Sequence, residues 1–282
     1  MKRMSDRERT IRRRVALRGR GVHSGRAAGL VLSPAPPGSG VVFVRSDLAG
    51  RPEIPARIAF LAGTFRGISL GAEGAEVRVV EHLLAAAAGL GVDNLRAEVD
   101  GPELPIGDGS ALPFVRLLRE AGLEDQERPR TYCALPSPVR IAGEGGLIAA
   151  FPSDSLTIHY AIAFDHPLLR SQFLSLAIAE ERFAAQIAPA RTFGFLRDAL
   201  PLIEKGLIKG TSLDNTVVVG DDAVFSREGL RFPDEFVRHK ILDLLGDLVL
   251  LGRRLKAEIV ALKGGHGLHA RLIAAIQEVC HG

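Results

Sequence analysis

The sequence predicts an α+β fold built from two similar halves. Three observations point there. The chain has 282 residues, of which 46% are apolar and 24% charged, the balance of a soluble globular protein with one large domain or two ordinary ones. Short apolar runs bounded by Gly, Pro and Ser recur along it, with helical stretches in each half. A polar, proline-bearing stretch at 124–130 then divides it into residues 1–126 and 127–282. Two such halves are compatible with a duplicated unit.

The elements follow in order. Residues 10–17 mix β-branched and charged side chains and read as a first strand. Residues 19–25 form a turn-rich loop holding His23. Runs at 28–32 and 41–44 are strands, and 77–80 is a strand or the lead into a helix. Residues 81–90 read as a buried Leu/Ala helix stopped by Gly89 and Gly91. A strand at 95–99 is followed by the turn Gly107-Asp108-Gly109 and a helix at 111–121, with Ser110 as its cap. In the second half, strands are expected at 139–141, 147–151 and 156–164, and helices at 180–187 and 195–205. A hairpin at 216–225, a strong helix at 234–251, a strand at 258–262 and a closing helix at 268–279 complete the chain. No short repeat period suggests a solenoid or propeller.

Composition excludes several functions. With 13 Phe, 2 Tyr and no Trp, an aromatic platform for single-stranded nucleic acid is not expected. The net charge of +3 is uneven: residues 1–20 hold nine Lys/Arg against Asp6 and Glu8, or +7, leaving −4 for the rest. Arg12, Arg13 and Arg14 therefore read as a solvated arm leading into the first strand, and no nucleic-acid partner is expected. The basic N-terminus lacks the apolar stretch of a signal peptide, and the longest aliphatic run, at 83–91, is too short to span a bilayer. Cys133 and Cys280 have no metal-site spacing and are expected as reduced thiols in a cytoplasmic protein.

Dinucleotide, P-loop and serine-elbow patterns are absent. On the 234–251 helix, His239 and Asp243 stand at i and i+4, with Asp247 one turn further on. Such a pair can share a metal ion; the spacing equally suits a surface or capping pair. Glu81 and His82 open an otherwise apolar helix. They suit a helix N-terminus, where Glu81 meets the macrodipole, or a third ligand beside a carboxylate base. His266 sits among three glycines and is either a displayed proton donor or part of a plain turn. His269 reads as a capping or solvated residue and His159 as a structural one; His23 stays open.

Together these segments resemble the zinc-dependent UDP-3-O-acyl-N-acetylglucosamine deacetylase family of lipid A (lipopolysaccharide) synthesis. The matching stretches are GVHSG (21–25), VEHLLAA (80–86) with GVDN (91–94), and ELPIGDGSALPF (103–114). ARTFGF (190–195), KGTSLDN (209–215), DEFVRHKILD (234–243) with GDL (246–248), and GHGL (265–268) follow in the same order. The resemblance implies one zinc per chain on His82, His239 and Asp243. It implies Glu81 as general base on the zinc-bound water and His266 as the general acid, supported by Asp247. Thr192 is implied near the oxyanion, with Phe193 and Lys240 contacting substrate. It further implies a cytoplasmic monomer without stable membrane insertion, with helices packed between two sheets. The implied reaction on a UDP-linked acylated amino sugar releases acetate and a free amine. Val79, Gly107 and Gly264 depart from the usual family pattern, which leaves two alternatives: a deacetylase of the same fold for another N-acetyl sugar, or a non-catalytic sugar-nucleotide-binding relative.

Overall fold

The computed structural model describes residues 6–143 and 145–281. The first half runs β1 (Arg7–Ile11), β2 (Val15–Arg20), β3 (Ala27–Pro34), β4 (Val41–Arg45), β5 (Glu53–Pro55), β6 (Leu61–Gly63), β7 (Ser69–Ala72), β8 (Ala75–Arg78), α1 (Glu81–Gly89), β9 (Leu95–Val99), α2 (Leu112–Ala121) and β10 (Leu123–Pro129). The second runs β11 (Tyr132–Ala134), β12 (Val139–Gly143), β13 (Gly146–Pro152), β14 (Thr157–Ala163), β15 (Ser171–Ala177), α3 (Glu180–Gln186), β16 (Phe193–Phe195), α4 (Ala199–Glu204), β17 (Val217–Val219), β18 (Val224–Phe225), α5 (Glu235–Asp247), β19 (Arg254–Leu262) and α6 (His266–His281).

The two main sheets repeat one design. The first has the order β2-β3-β9-β4-β5, the second β12-β13-β19-β14-β15. Along both paths the central strand is antiparallel to one neighbour and parallel to the other, and the outer pairs are antiparallel; the second sheet has in addition β11, which pairs with β19 in parallel. In both, that central strand is the last of its sheet in sequence and has a helix on either side of it in the chain. The period-2 pattern gives each sheet one apolar face. Leu95, Ala97 and Val99 of β9 are buried while Arg96 and Glu98 are not; on β19, Leu255, Ala257, Ile259 and Ala261 are buried.

Those faces share one core with α1, α2, α5 and α6. Every residue of α1 is buried, as its Leu/Ala composition requires, and its main partner is α5. The two helices meet at backbone distance because Gly246 has no side chain: a Cβ there would overlap the Glu81 carbonyl and lie 3.1 Å from Glu81 Cα. α2 packs on β2, α5 on β14 and β15, and α6 on β12 and β13.

Several expectations change. The 10–17 strand is two strands parted at Arg12–Arg14, and β1 pairs with β10. Arg12, Arg13 and Arg14 are exposed, as expected of a solvated run, although Arg12 and Arg13 donate to the carbonyls of Leu123 and Glu120 and Arg14 reaches Glu98 at 3.6 Å; residues 1–5 lie outside those described. Residues 124–130 look like a linker because β10 is largely exposed, yet six of them belong to a strand held by backbone pairing. The 195–205 helix breaks into the end of β16, a 3-10 turn at Leu196–Asp198 and the short α4. The thiols are not free: Cys133 on β11 and Cys280 near the end of α6 form a disulfide, with Cα atoms 6.2 Å apart. No described helix is long and apolar enough to cross a membrane.

Gly246→Ala is expected to lower stability by about 1–3 kcal/mol through overpacking, although alanine is the better helix former by about 1 kcal/mol. Urea unfolding of the variant checks this, and an unchanged midpoint would mean that α1 moves aside without cost.

Candidate active site

A cavity of about 540 Å³ lies where α1, α5, β16 and the start of α6 converge. Glu81, His82, Thr192, Phe193, His239, Lys240, Asp243 and His266 line it, and Asp247 stands behind His266. The structure thus brings together the nine site residues that the family resemblance implies.

Local chemistry sets each position. Glu81 and His82 occupy the first turn of α1, and the Ile68 N–H donates to Glu81 Oε2 at 3.0 Å. On α5 the i, i+4 spacing brings His239 Nε2 to 3.3 Å from Asp243 Oδ1, and His82 Nε2 reaches the same oxygen at 4.0 Å. Arg191 is buried and forks onto the equally buried Glu235, at 2.8 and 3.0 Å, which ties Thr192 and Phe193 to the start of α5. The Phe193 ring stands 4.9 Å from that of Phe236 and 6.3 Å from that of His239. Lys240 Nζ donates to Asp243 Oδ2 at 2.7 Å.

Protonation states follow from burial and neighbours. Burial pushes the His82 imidazole down to about 3, and His239 is lowered for the same reason. Against its own burial, Asp243 is held well below the carboxylate range by Lys240 and the surrounding histidines. Two neutral imidazoles and one carboxylate, with ligand atoms within 4.8 Å of one another, are the donor set of a divalent cation. His239 Nδ1 donates to the Ala190 carbonyl at 3.1 Å, which leaves the Nε2 lone pair facing the cluster. The Nδ1 of His82 is buried without a partner.

Asp247, His266 and His269 also stand close enough to hold an ion. Their hydrogen bonds argue otherwise. Asp247 Oδ2 accepts from His266 Nδ1 at 2.8 Å and from His269 Nδ1 at 2.7 Å, so those nitrogens carry protons rather than lone pairs. His269 Nε2 in turn accepts from the Tyr160 hydroxyl at 3.1 Å. This trio therefore holds protons. Despite burial, His266 is raised to about 9 by the Asp247 charge and hydrogen bond, with Asp243 and Glu81 adding to it. Glu81 is raised to about 7, chiefly by burial and then by the Asp243 and Asp247 charges.

Two groups were not expected here. His269, read as capping or solvated, is fully buried, and Tyr160 joins it from β14. The i, i+3 spacing of His266 and His269 was the available signal. His159 instead pairs with Glu258 at 2.7 Å on the more open sheet face. His23 lines the cavity, its loop held by Glu103, which accepts from the N–H groups of His23 and Ser24. The departures from the family pattern have local reasons. At Gly264 a Cβ would lie 2.7 Å from Tyr160 Oη and 3.3 Å from His269 Nε2, so any larger residue there must push the Tyr160 hydroxyl aside. At Gly107, with φ +59°, a Cβ would press on Pro113. Val79 is buried with Val22 and Ile106 at the cavity wall.

Comparison with known proteins finds relatives along nearly the whole chain. The model of the family described as UDP-3-O-acyl N-acetylglycosamine deacetylase matches residues 8–278. A UDP-3-O-acyl-N-acetylglucosamine deacetylase of Myxococcus xanthus (strain DK1622) is 44% identical over 269 residues, covering 95% of this chain and 86% of that protein. One of Anaeromyxobacter sp. (strain Fw109-5) is 45% identical over 269 residues, covering 95% and 88%. One of Chlamydia trachomatis serovar L2 is 44% identical over 275 residues, covering 96% of each. With the match running through both sheets and every segment that lines the cavity, the chain belongs to the UDP-3-O-acyl N-acetylglycosamine deacetylase family.

Proposed function

We propose that this chain hydrolyses the acetamide of a UDP-3-O-acyl-N-acetylglucosamine, here the 3-hydroxyacyl form, releasing acetate and the free amine in lipid A synthesis. One feature of the site carries the reading. A donor set of two neutral imidazoles and a carboxylate shares a cavity with a base raised toward neutrality and an imidazolium held above it. Family membership along nearly the whole chain supplies the substrate class.

His82, His239 and Asp243 would hold the metal, which we assign as one zinc per chain. Zinc supplies Lewis-acid polarisation of the carbonyl and acidification of water. The chain's own groups move the protons. Glu81 accepts a proton from the attacking water, and the carbonyl carbon becomes tetrahedral. Thr192 faces the developing oxyanion. His266 then gives its Nε2 proton to the nitrogen as the C–N bond breaks. Asp247 holds the imidazolium through Nδ1 and keeps the opposite ring edge turned to the cavity. Phe193 and Lys240 line the space offered to the sugar. We assign residues 1–126 and 127–282 as the two domains, and place the enzyme in the cytoplasm as a monomer.

Metal analysis of the purified protein is expected to find about one zinc per chain, lost on His239→Ala substitution along with acetate release. A variant that kept both metal and activity would overturn the assignment. Metal-loaded but inactive protein would favour another N-acetyl sugar. The rate is also expected to depend on pH in a bell. kcat/KM rises through about 7 as Glu81 ionises and falls through about 9 as His266 loses its proton. Glu81→Gln should lower kcat by about 10²–10⁴-fold and abolish the rising limb; a limb that survives assigns the base elsewhere.

A further inference from the structure

A second cavity, of about 140 Å³, lies at the C-terminal end of α5. The Leu245 and Leu248 side of that helix end meets Gly40 from the first half and the turn before β19 from the second. Arg57, Arg128, Arg130, Arg253 and Arg254 line it, against only two carboxylates, Glu8 and Asp93.

Both carboxylates are already engaged. Asp93 accepts from Arg130 at 2.8 Å and from Arg254 at 2.9 Å, as well as from the Arg9 N–H. Glu8 pairs with Arg128 at 3.3 Å and accepts from Asn94 and the Gly38 N–H. Arg57 has no such partner. Among the described residues its guanidinium makes no hydrogen bond and no ion pair. It is half-buried and lies over Gly252, where any Cβ would overlap Nη1, while Nη2 reaches toward Gly40. The charge that acts on it is another cation, Arg253, and burial together with that repulsion lowers its pKa.

A partly desolvated guanidinium beside a like charge is costly unless an anion completes it. The helix end nearby offers only about half a negative charge. We propose that this cavity is an anion site for a compact phosphate-bearing molecule, held by Arg57 from the first half and Arg253 from the second. The guanidinium fork matches phosphate oxygens two at a time, which a single lysine would not. The apolar side chains of Leu245, Leu248 and Leu255 leave room for a small apolar portion of the ligand. The site shares no lining residue with the catalytic cavity and does not depend on the deacetylase reading. Its ligand would bridge the two sheets.

Titration calorimetry and thermal unfolding with inorganic phosphate and with pyrophosphate, at ionic strength held constant with chloride, test this. Saturable binding of one anion per chain with a raised Tm is expected. Arg57→Gln should weaken it by about tenfold or more, the loss of one charge-assisted contact, and Arg253→Gln should also weaken it. Acetate release measured without added phosphate should be unchanged in Arg57→Gln. Equal responses in wild type and both variants would place the anion elsewhere, for instance on the metal ligands, and overturn the proposal. A response reproduced by chloride alone would reduce it to ionic screening and also overturn it.

Discussion

The catalytic cavity depends on one close approach, that of α5 to the first turn of α1 at Gly246. A glycine inside a helix costs about 1 kcal/mol of propensity. Here that cost is repaid in position. Because the two backbones touch, Glu81 and His82 on one helix stand within reach of His239 and Asp243 on the other, and the ligand atoms come within 4.8 Å. A methyl group of separation would spread that cluster beyond the reach of one small cation. Arg191 and Glu235 fasten the adjacent strand to the same helix, so the side walls of the cavity move with its floor.

Burial acts on every ionisable group in this cavity and is answered differently at each. At His82 and His239 burial outweighs the neighbouring Asp243 charge, and both imidazoles are lowered. Asp243 has Lys240 at 2.7 Å and stays ionised. Glu81 has one backbone N–H and two repelling carboxylates, and rises. His266 has Asp247 and rises too, although burial alone would lower it. One buried environment thus gives lowered imidazoles, a raised carboxyl and a raised imidazole, and the direction at each follows from the charges around it.

What the sequence makes legible are the features carried by periodicity. His239 and Asp243 are one turn apart on a strongly patterned helix, and both central strands alternate cleanly enough to show their apolar faces. The features missed depend on partners distant in the chain. β10 is polar on both faces, so only its backbone pairing with β1 reveals a strand. His269 looks like an ordinary helix-opening residue until Tyr160, far away on β14, is seen to donate to it. The bond between Cys133 and Cys280 joins positions 147 apart, and no local pattern announces it. The equivalence of the halves is likewise weak in residue identity and plain in strand order, because an interior face asks only for apolar side chains of suitable volume.

The placement of the central strands governs how the molecule can assemble. Each sheet receives its middle strand last, so neither can close around its core until the end of its half has been made. For the second half this means waiting for β19, with α6 and His266 later still. A nascent chain therefore holds His82 on a finished first half long before His239 and Asp243 have anything to dock against. A cation held by these residues would be captured at the end of folding, and its binding energy would fall on the docking of the halves rather than on the formation of either one.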